Sequence, residues 1–349
     1  MKSFKLIIFI LVIFLKTGNV LSDDNIFNVN NIKISNKKFN KKDQSANQAI
    51  RDGFKELINR ILLQEDKKKL SNLNLKDIKN LVTYYQITNK NKKEIEDNLA
   101  YNIQFDKEKL HDLFYKLNIS YADISNQEIY ILPILKKQNQ NYIFNQNYFY
   151  SNWSSSSSGS NELLQFVLPL ENIEIIQKVN FNNQDLLDLN LNDIFKEYKE
   201  NNLALIIIED NGINKEKIFL KTKISGKNIS KNIIVERLKL TREEFYKKII
   251  ALVQKEILNL VKSQNLIDIR TPSFINVKLN LDKKNNLVLL NNTLKNIDSI
   301  ENIFVQELNN DHVLLKIKYL GKLNKIIRQL KSKNIILEQI SDQWSLKII

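Results

Sequence analysis

The chain has 349 residues, a formal net charge of +14, no cysteine and two histidines. That length suits two or three domains, each with an apolar core of its own. The missing thiols exclude disulfide frameworks, thiolate metal sites and lipid attached to cysteine, and two histidines cannot build a histidine-rich zinc centre.

Nearly all the basic residues are lysines, in a chain also crowded with Asn and Ile. Such a joint bias spreads Lys over solvated faces without any ligand in mind. Nucleic-acid binding would want Arg forks on base edges, or stacking rings beside a basic strip. Nucleic acid is therefore not expected as a partner, whereas weak contact with anionic surfaces such as lipid head groups or wall polymers is.

In chain order, Lys2 and Lys5 precede an apolar run over 6–15 and a polar segment over 16–22. These are the n-, h- and c-regions of a signal peptide over 1–22, with Val20 and Ser22 at the small-residue positions before the cut. The apolar run is about half the roughly 20 residues that a membrane span needs. No later run approaches that length, so no transmembrane segment is expected in the mature chain.

The first unit covers 23–125. Residues 26–34 alternate, with Phe27, Val29 and Asn31 on one side and Ile26, Ile32 and Ile34 on the other, which predicts a strand. Asp43 opens a long helix whose stripe is Ala46, Ala49, Ile50, Gly53, Phe54, Leu57, Ile58, Ile61 and Leu62. Gly inside a helix costs about 1 kcal/mol against Ala, so Gly53 marks a close backbone approach. A short helix near 77–82, strands over 83–87 and 99–105, and a helix over 107–117 complete a β-α-(α)-β-β-α order.

The central unit covers 126–271. Two apolar runs, 129–135 and 166–170, each stop near a proline (Pro133, Pro169) and read as buried strands. Between them lie Tyr142, Phe144, Tyr148, Phe149, Tyr150 and Trp153, followed by a serine run over 154–160 broken by Gly159. Either these rings fold onto the sheet edge, or Tyr148, Phe149, Tyr150 and Trp153 form an exposed patch that docks a partner protein. Those four are the candidate partner-binding residues. Helices over 172–179 and 191–199 lead to a wholly apolar strand, 203–208, suited to a sheet covered on both faces. A hairpin (218–224 with 233–240) turns around Gly226. Thr241-Arg242-Glu243-Glu244 is a capping box with Leu240 and Phe245 as a hydrophobic staple, opening a helix with the stripe Phe245, Ile249, Leu252, Val253, Ile257, Leu260 and Val261.

The last unit covers 272–349. Ile275, Val277, Leu279 and Leu281 alternate, 287–294 is helical, and strands over 304–308 and 313–320 are joined across Asn309-Asn310-Asp311. A helical stripe (Leu323, Ile326, Ile327, Leu330) precedes strands over 335–340 and 344–348. This β-α-β-β-α-β order plus a terminal strand is the ferredoxin-like pattern, which by itself names no function. The fold class is thus α+β, a signal peptide followed by three small α/β-layer units.

No catalytic, cofactor-binding or metal-ligating residue emerges. His111 and His312 read as exposed or packing residues, in no H-E-x-x-H arrangement, and neither a G-x-S-x-G elbow nor a glycine-rich phosphate loop is present. Ser35-x-x-Lys38 and Lys16-Thr17-Gly18 resemble pieces of a penicillin-recognising site, but the second lies inside the predicted leader. Asp23-Asp24 and Glu243-Glu244 are explained by a solvated terminus and a helix start. A pair of carboxylates from distant positions would leave no trace in the sequence.

The pattern Ala46…Ala49-Ile50…Gly53…Leu57…Arg60, the following Leu81-Val82…Tyr84-Tyr85, and the Leu-Pro-bounded strands around a Trp-containing loop resemble a family of exported proteobacterial proteins known as domain of unknown function 2066. The likeness runs from about Phe27 to the C-terminus. Where the family implies an Asn-Pro-Trp-like run, this chain has Asn147-Tyr148-Phe149, without the proline. The central unit is also similar in element order to the amino-terminal domain of periplasmic Tol-system β-propeller proteins. The resemblance implies a periplasmic envelope protein and supplies no catalytic residue.

The expectation is a non-enzymatic periplasmic protein that binds an envelope protein or polymer. Two alternatives are an exported hydrolase with dispersed carboxylates and a carrier of an apolar ligand. A large pocket with converging acids favours the hydrolase, and a closed core with an exposed aromatic loop favours the binder.

Overall fold

The computed structural model describes residues 26–35, 42–88, 98–124, 127–138, 140–154, 164–182, 185–210, 212, 215–281, 287–295, 297 and 299–348. The predicted leader over 1–22 and most of the serine run lie outside the described residues.

The first unit holds β1 (Asn28–Ser35), α1 (Lys42–Ile61), α2 (Leu75–Asn80), β2 (Val82–Ile87), β3 (Asn98–Phe105) and α3 (Lys107–Leu117). Its three strands run in the order β1-β3-β2, antiparallel throughout. Phe27, Val29, Ile32 and Ile34 are all buried in one core rather than on two faces. A β-bulge is the reason: the register slips between Val29 and Ile32, with Asn31 at φ 60° and its N–H donating to Asn102 Oδ1 at 2.9 Å. The extra residue reverses the pleat and brings both apolar pairs inward. Gly53 is indeed a close approach, since a Cβ there would lie 2.6 Å from Ile103 Cδ1. Helix α2 starts earlier than the periodicity suggests because Asn74 and Asp77 form a capping box ahead of it.

The two strands called central by their composition are β5 (Gln127–Lys137) and β8 (Asn202–Asp210), paired in parallel after the short β4 (Tyr121–Ala122). With β6 (Gln140–Tyr142), β7 (Leu164–Val167), β9 (Lys215–Ile224) and β10 (Lys227–Glu236) they form a sheet ordered β10-β9-β8-β5-β6, with β7 also on β5. On one face Ile129, Ile131, Ala204, Ile206 and Ile208 meet the helix α7 described below. On the other, Leu132, Ile134, Leu203, Leu205 and Ile207 meet α5 (Ile173–Phe181) and α6 (Leu191–Ile194), which come after α4 (Tyr148–Asn152). Cover on both faces is why these strands read as unbroken apolar runs. The helix expected over 191–199 breaks after Ile194 into a separate 3₁₀ turn over Lys196–Tyr198. The hairpin turn Ser225-Gly226 has φ of 51° and 80°, the sign that a two-residue type I′ loop requires. β10 begins at Lys227, well before the expected 233, because its polar first half pairs with β9 without burying anything.

Helix α7 (Arg242–Ser263) has the expected capping box, Thr241 with Glu244. Then come β11 (Leu266–Ile267), β12 (Ser273–Asn280), α8 (Leu287–Lys295), β13 (Ile300–Leu308), β14 (His312–Tyr319), α9 (Leu323–Ser332), β15 (Ile335–Ile340) and β16 (Gln343–Ile348). The sheet order β13-β14-β12-β16-β15 keeps the β-α-β-β-α-β succession but slots the terminal β16 between β12 and β15, parallel to β12. The whole is an α+β assembly, as expected.

The three units meet around the ends of the central one. β4 and β11, which lead into and out of the central unit, pair with each other. Ile267 and Leu320 enter the first unit's core. Buried Lys262 donates to the carbonyls of Asn59 at 2.6 Å and Leu62 at 3.3 Å, at the C-terminal end of α1. Lys325 pairs with Asp123, and Arg270 donates to Asn118 Oδ1 at 3.0 Å. Among the described residues no helix is long and apolar enough to cross a membrane.

Candidate functional site

The aromatic segment is fastened inward. Asn147 is fully buried; its amide nitrogen donates to the Pro133 carbonyl at 2.8 Å and its oxygen accepts from the Phe149 N–H at 3.0 Å. Pro133 removes a donor from β5, and Asn147 turns the strand's remaining carbonyl into an anchor for the loop. Phe149 (0 % exposed) and Trp153 (1 %) belong to the core beneath α7, and Gln254 donates to the Trp153 carbonyl at 3.2 Å. For these two rings the inward alternative holds and the exposed patch does not, because the core beneath α7 supplies the apolar cover they need. Tyr148 is half-buried with its ring 5.2 Å from Tyr246. Tyr150, also half-buried, donates to the Pro169 carbonyl at 2.8 Å. Burial, followed by nearby Glu243 for Tyr148 and Glu171 for Tyr150, pushes both phenols up.

Beside that loop, buried Asp210 ends β8 and accepts from Tyr246 at 2.5 Å, from the Gly212 N–H at 3.0 Å and from Arg242. Burial alone would raise its carboxyl, but the hydrogen bonds outweigh it and hold the group below its ordinary range. Tyr246 is pushed up to about 12, by burial first and by its bond to Asp210 second. All three groups are spent on one another, and the cluster locks the start of α7 to the end of β8.

An open cleft of about 810 Å³ lies between the first and third units. One wall is the N-terminal end of α3 with Asp106, Lys107, Glu108, His111 and Asp112, and the other is α8 and the start of β13 with Lys295 and Glu301. Lys107 and His111 lie one helical turn apart and therefore face the same way. Lys107 Nζ sits 3.2 Å from Glu301 Oε1, and His111 Nδ1 lies 3.6 Å from the same oxygen. His111 Nε2 is 3.2 Å from the Tyr121 hydroxyl, and its ring stacks on Tyr121 with centroids 5.5 Å apart. Burial pushes the imidazole down to about 4, against the opposing pull of Glu301; it is neutral at pH 7. Asp106 accepts from the Lys109 N–H at 3.1 Å as the cap of α3. His312 stands apart from this cleft, 3.9 Å from Glu307. Among the described residues, no group of three or more His, Asp and Glu is placed to hold a metal ion.

The aromatic residues were visible in the sequence; the cleft was not. Its walls come from stretches nearly 200 residues apart, 104–112 and 291–303, and the local hint is the i, i+4 pair Lys107 and His111.

Neither a family model nor a curated protein matches the chain. A solved structure described as "Crystal structure of uncharacterized protein" aligns with 41% of this chain and 94% of its own at 10% identity and a TM-score of 0.18, a likeness too slight to support any conclusion about fold or function.

Proposed function

We propose that the protein is an exported, periplasmic component of the cell envelope that acts by binding an envelope protein or polymer, with the cleft between the first and third units as its binding site. The observation that carries this reading is the state of the cleft's own groups. Of the four carboxylates that line it, Asp106 is engaged as a helix cap and Glu301 by Lys107, which leaves Glu108 and Asp112 side by side on one helix rather than facing each other across the cleft as a hydrolytic pair would. The one imidazole there is neutral and titrates far below the range where a general base works. Polar and charged walls also suit an apolar cargo poorly. Export is supported by the basic, apolar and polar succession over 1–22 and by the resemblance to the exported family.

A photo-crosslinker placed at Asn302, on the cleft wall, tests the reading in intact cells. A discrete envelope product that disappears in Glu301→Lys is expected. Recovery of the chain from the cytosol with its initial Met attached would sink the export half, and crosslinking indifferent to Glu301→Lys would sink the cleft.

A further inference from the structure

β13 is the outermost strand of its sheet, with β14 on one side and no strand of the described residues on the other. It is long for an edge, and its sequence IENIFVQEL contains neither lysine nor proline. Edge strands are commonly protected by those residues, and the edge strand β10 carries Lys227 and Lys231. Instead β13 presents apolar side chains to solvent: Phe304 is 44 % exposed, Val305 55 % and Leu308 58 %. Register shifts at Ile300/Asn302 and Val305/Glu307, themselves a form of edge protection, confine the regular stretch to 302–305. The first half of the strand, from Ile300 to Ile303, forms a wall of the cleft.

Charge selects the occupant. Four carboxylates line the cleft (Asp106, Glu108, Asp112, Glu301) against two lysines (Lys107, Lys295); with Asp106 paired to Lys109 and Glu301 to Lys107, the acidic excess rests on Glu108 and Asp112. A second copy of this chain is disfavoured on the edge in one register only, so the acidic wall rather than self-repulsion selects the occupant. Antiparallel self-pairing centred on Phe304 would set Glu301 opposite Glu307 twice, and like charges directly opposite destabilise a ladder. We propose that the free edge of β13 and the adjoining cleft take up an extended, lysine- or arginine-bearing segment of a partner polypeptide by strand addition. Main-chain hydrogen bonds to β13 supply the affinity and the acidic wall of α3 selects the basic side chains. This rests on the cleft being the binding site and names the chemistry of what it binds.

The test offers the full chain two synthetic peptides of equal length, one alternating valine with lysine and the other valine with glutamate. Fluorescence anisotropy reads affinity and amide hydrogen exchange reads the site. The lysine peptide should bind about tenfold or more tightly than the glutamate peptide and protect amides within 300–308. Val305→Lys, at an exposed position outside the core, should weaken it about tenfold with an unchanged melting temperature, and Asp112→Lys should weaken it as well. Equal affinity for the two peptides, no binding of the lysine peptide, or unprotected β13 amides would overturn the proposal. Weakening by Asp112→Lys but not by Val305→Lys would overturn strand addition and leave the cleft as a binding site. Binding indifferent to both variants would remove both.

Discussion

Single side chains decide how the aromatic segment is used. Asn147 satisfies a strand carbonyl and a helix-start N–H at once, with no access to water. Asn147→Ala leaves both groups without their partner, and a buried unpaired polar group costs about 1–3 kcal/mol; urea unfolding should show a loss of about 2 kcal/mol or more. Trp153→Ala empties a buried indole site and should cost about 3–5 kcal/mol, whereas an exposed docking residue would cost next to nothing. His111 makes a second prediction. Its folded-state value of about 4 lies below the ordinary 6.5, so the unfolded chain binds a proton that the folded chain refuses. The stabilisation is complete above pH 6.5 and fades as pH falls toward 4. His111→Phe should flatten that part of the stability profile, as followed by thermal melts between pH 4 and 7. Inward folding of the rings was one of two readings open in the sequence, but the long-range partners of Asn147 and His111 were not legible, because tertiary packing sets them.

At the level of elements, the sequence reading did best where a period was long and unbroken. The stripes of α1 and α7 and the apolar runs of β5 and β8 each fill an apolar space on a known face. It failed in β1, where alternation was followed straight through a bulge that only the partner strand reveals, and in β10, whose polar half has no periodic signature. The capping box at Thr241 was fully legible, since it is a local hydrogen-bond exchange between residues three apart. Thr241→Ala should cost about 1 kcal/mol in a thermal or urea melt. Gly53 permits a sharper test. Helix propensity favours Ala there by about 1 kcal/mol, yet the new methyl would press on Ile103 Cδ1 in a closed core. Gly53→Ala should destabilise the chain, and adding Ile103→Val, which deletes that atom, should recover stability beyond the sum of the single changes.

Across the whole molecule, the contacts that join the units involve residues far apart in sequence, which is why neither the cleft nor the junction could be foreseen. Lys262 carries the strongest electrostatic signature there. Burial, reinforced by nearby Lys67, pushes its ammonium down to about 7 from an ordinary 10.5. Between those two values the unfolded chain holds a proton that the folded chain has released, so stability rises with pH across that window, and below about 7 the penalty for the buried charge is fully present. For one proton the slope is at most ~1.4 kcal/mol per pH unit. Lys262→Met should remove it, as read from urea unfolding at pH 7 and pH 9.

The pairing of β4 with β11 has a topological consequence. The two stalks of the central unit stand side by side, held by Leu266 opposite Ala122 and Ile267 opposite Tyr121, with the Asp123 N–H donating to the Asn265 carbonyl at 3.2 Å. The first and third units therefore already touch without it, and the central unit is an insert mounted on their shared surface. The ends of the central unit therefore leave it side by side, and the spacing of the cleft's two walls is held by contacts outside it, such as Lys107 with Glu301.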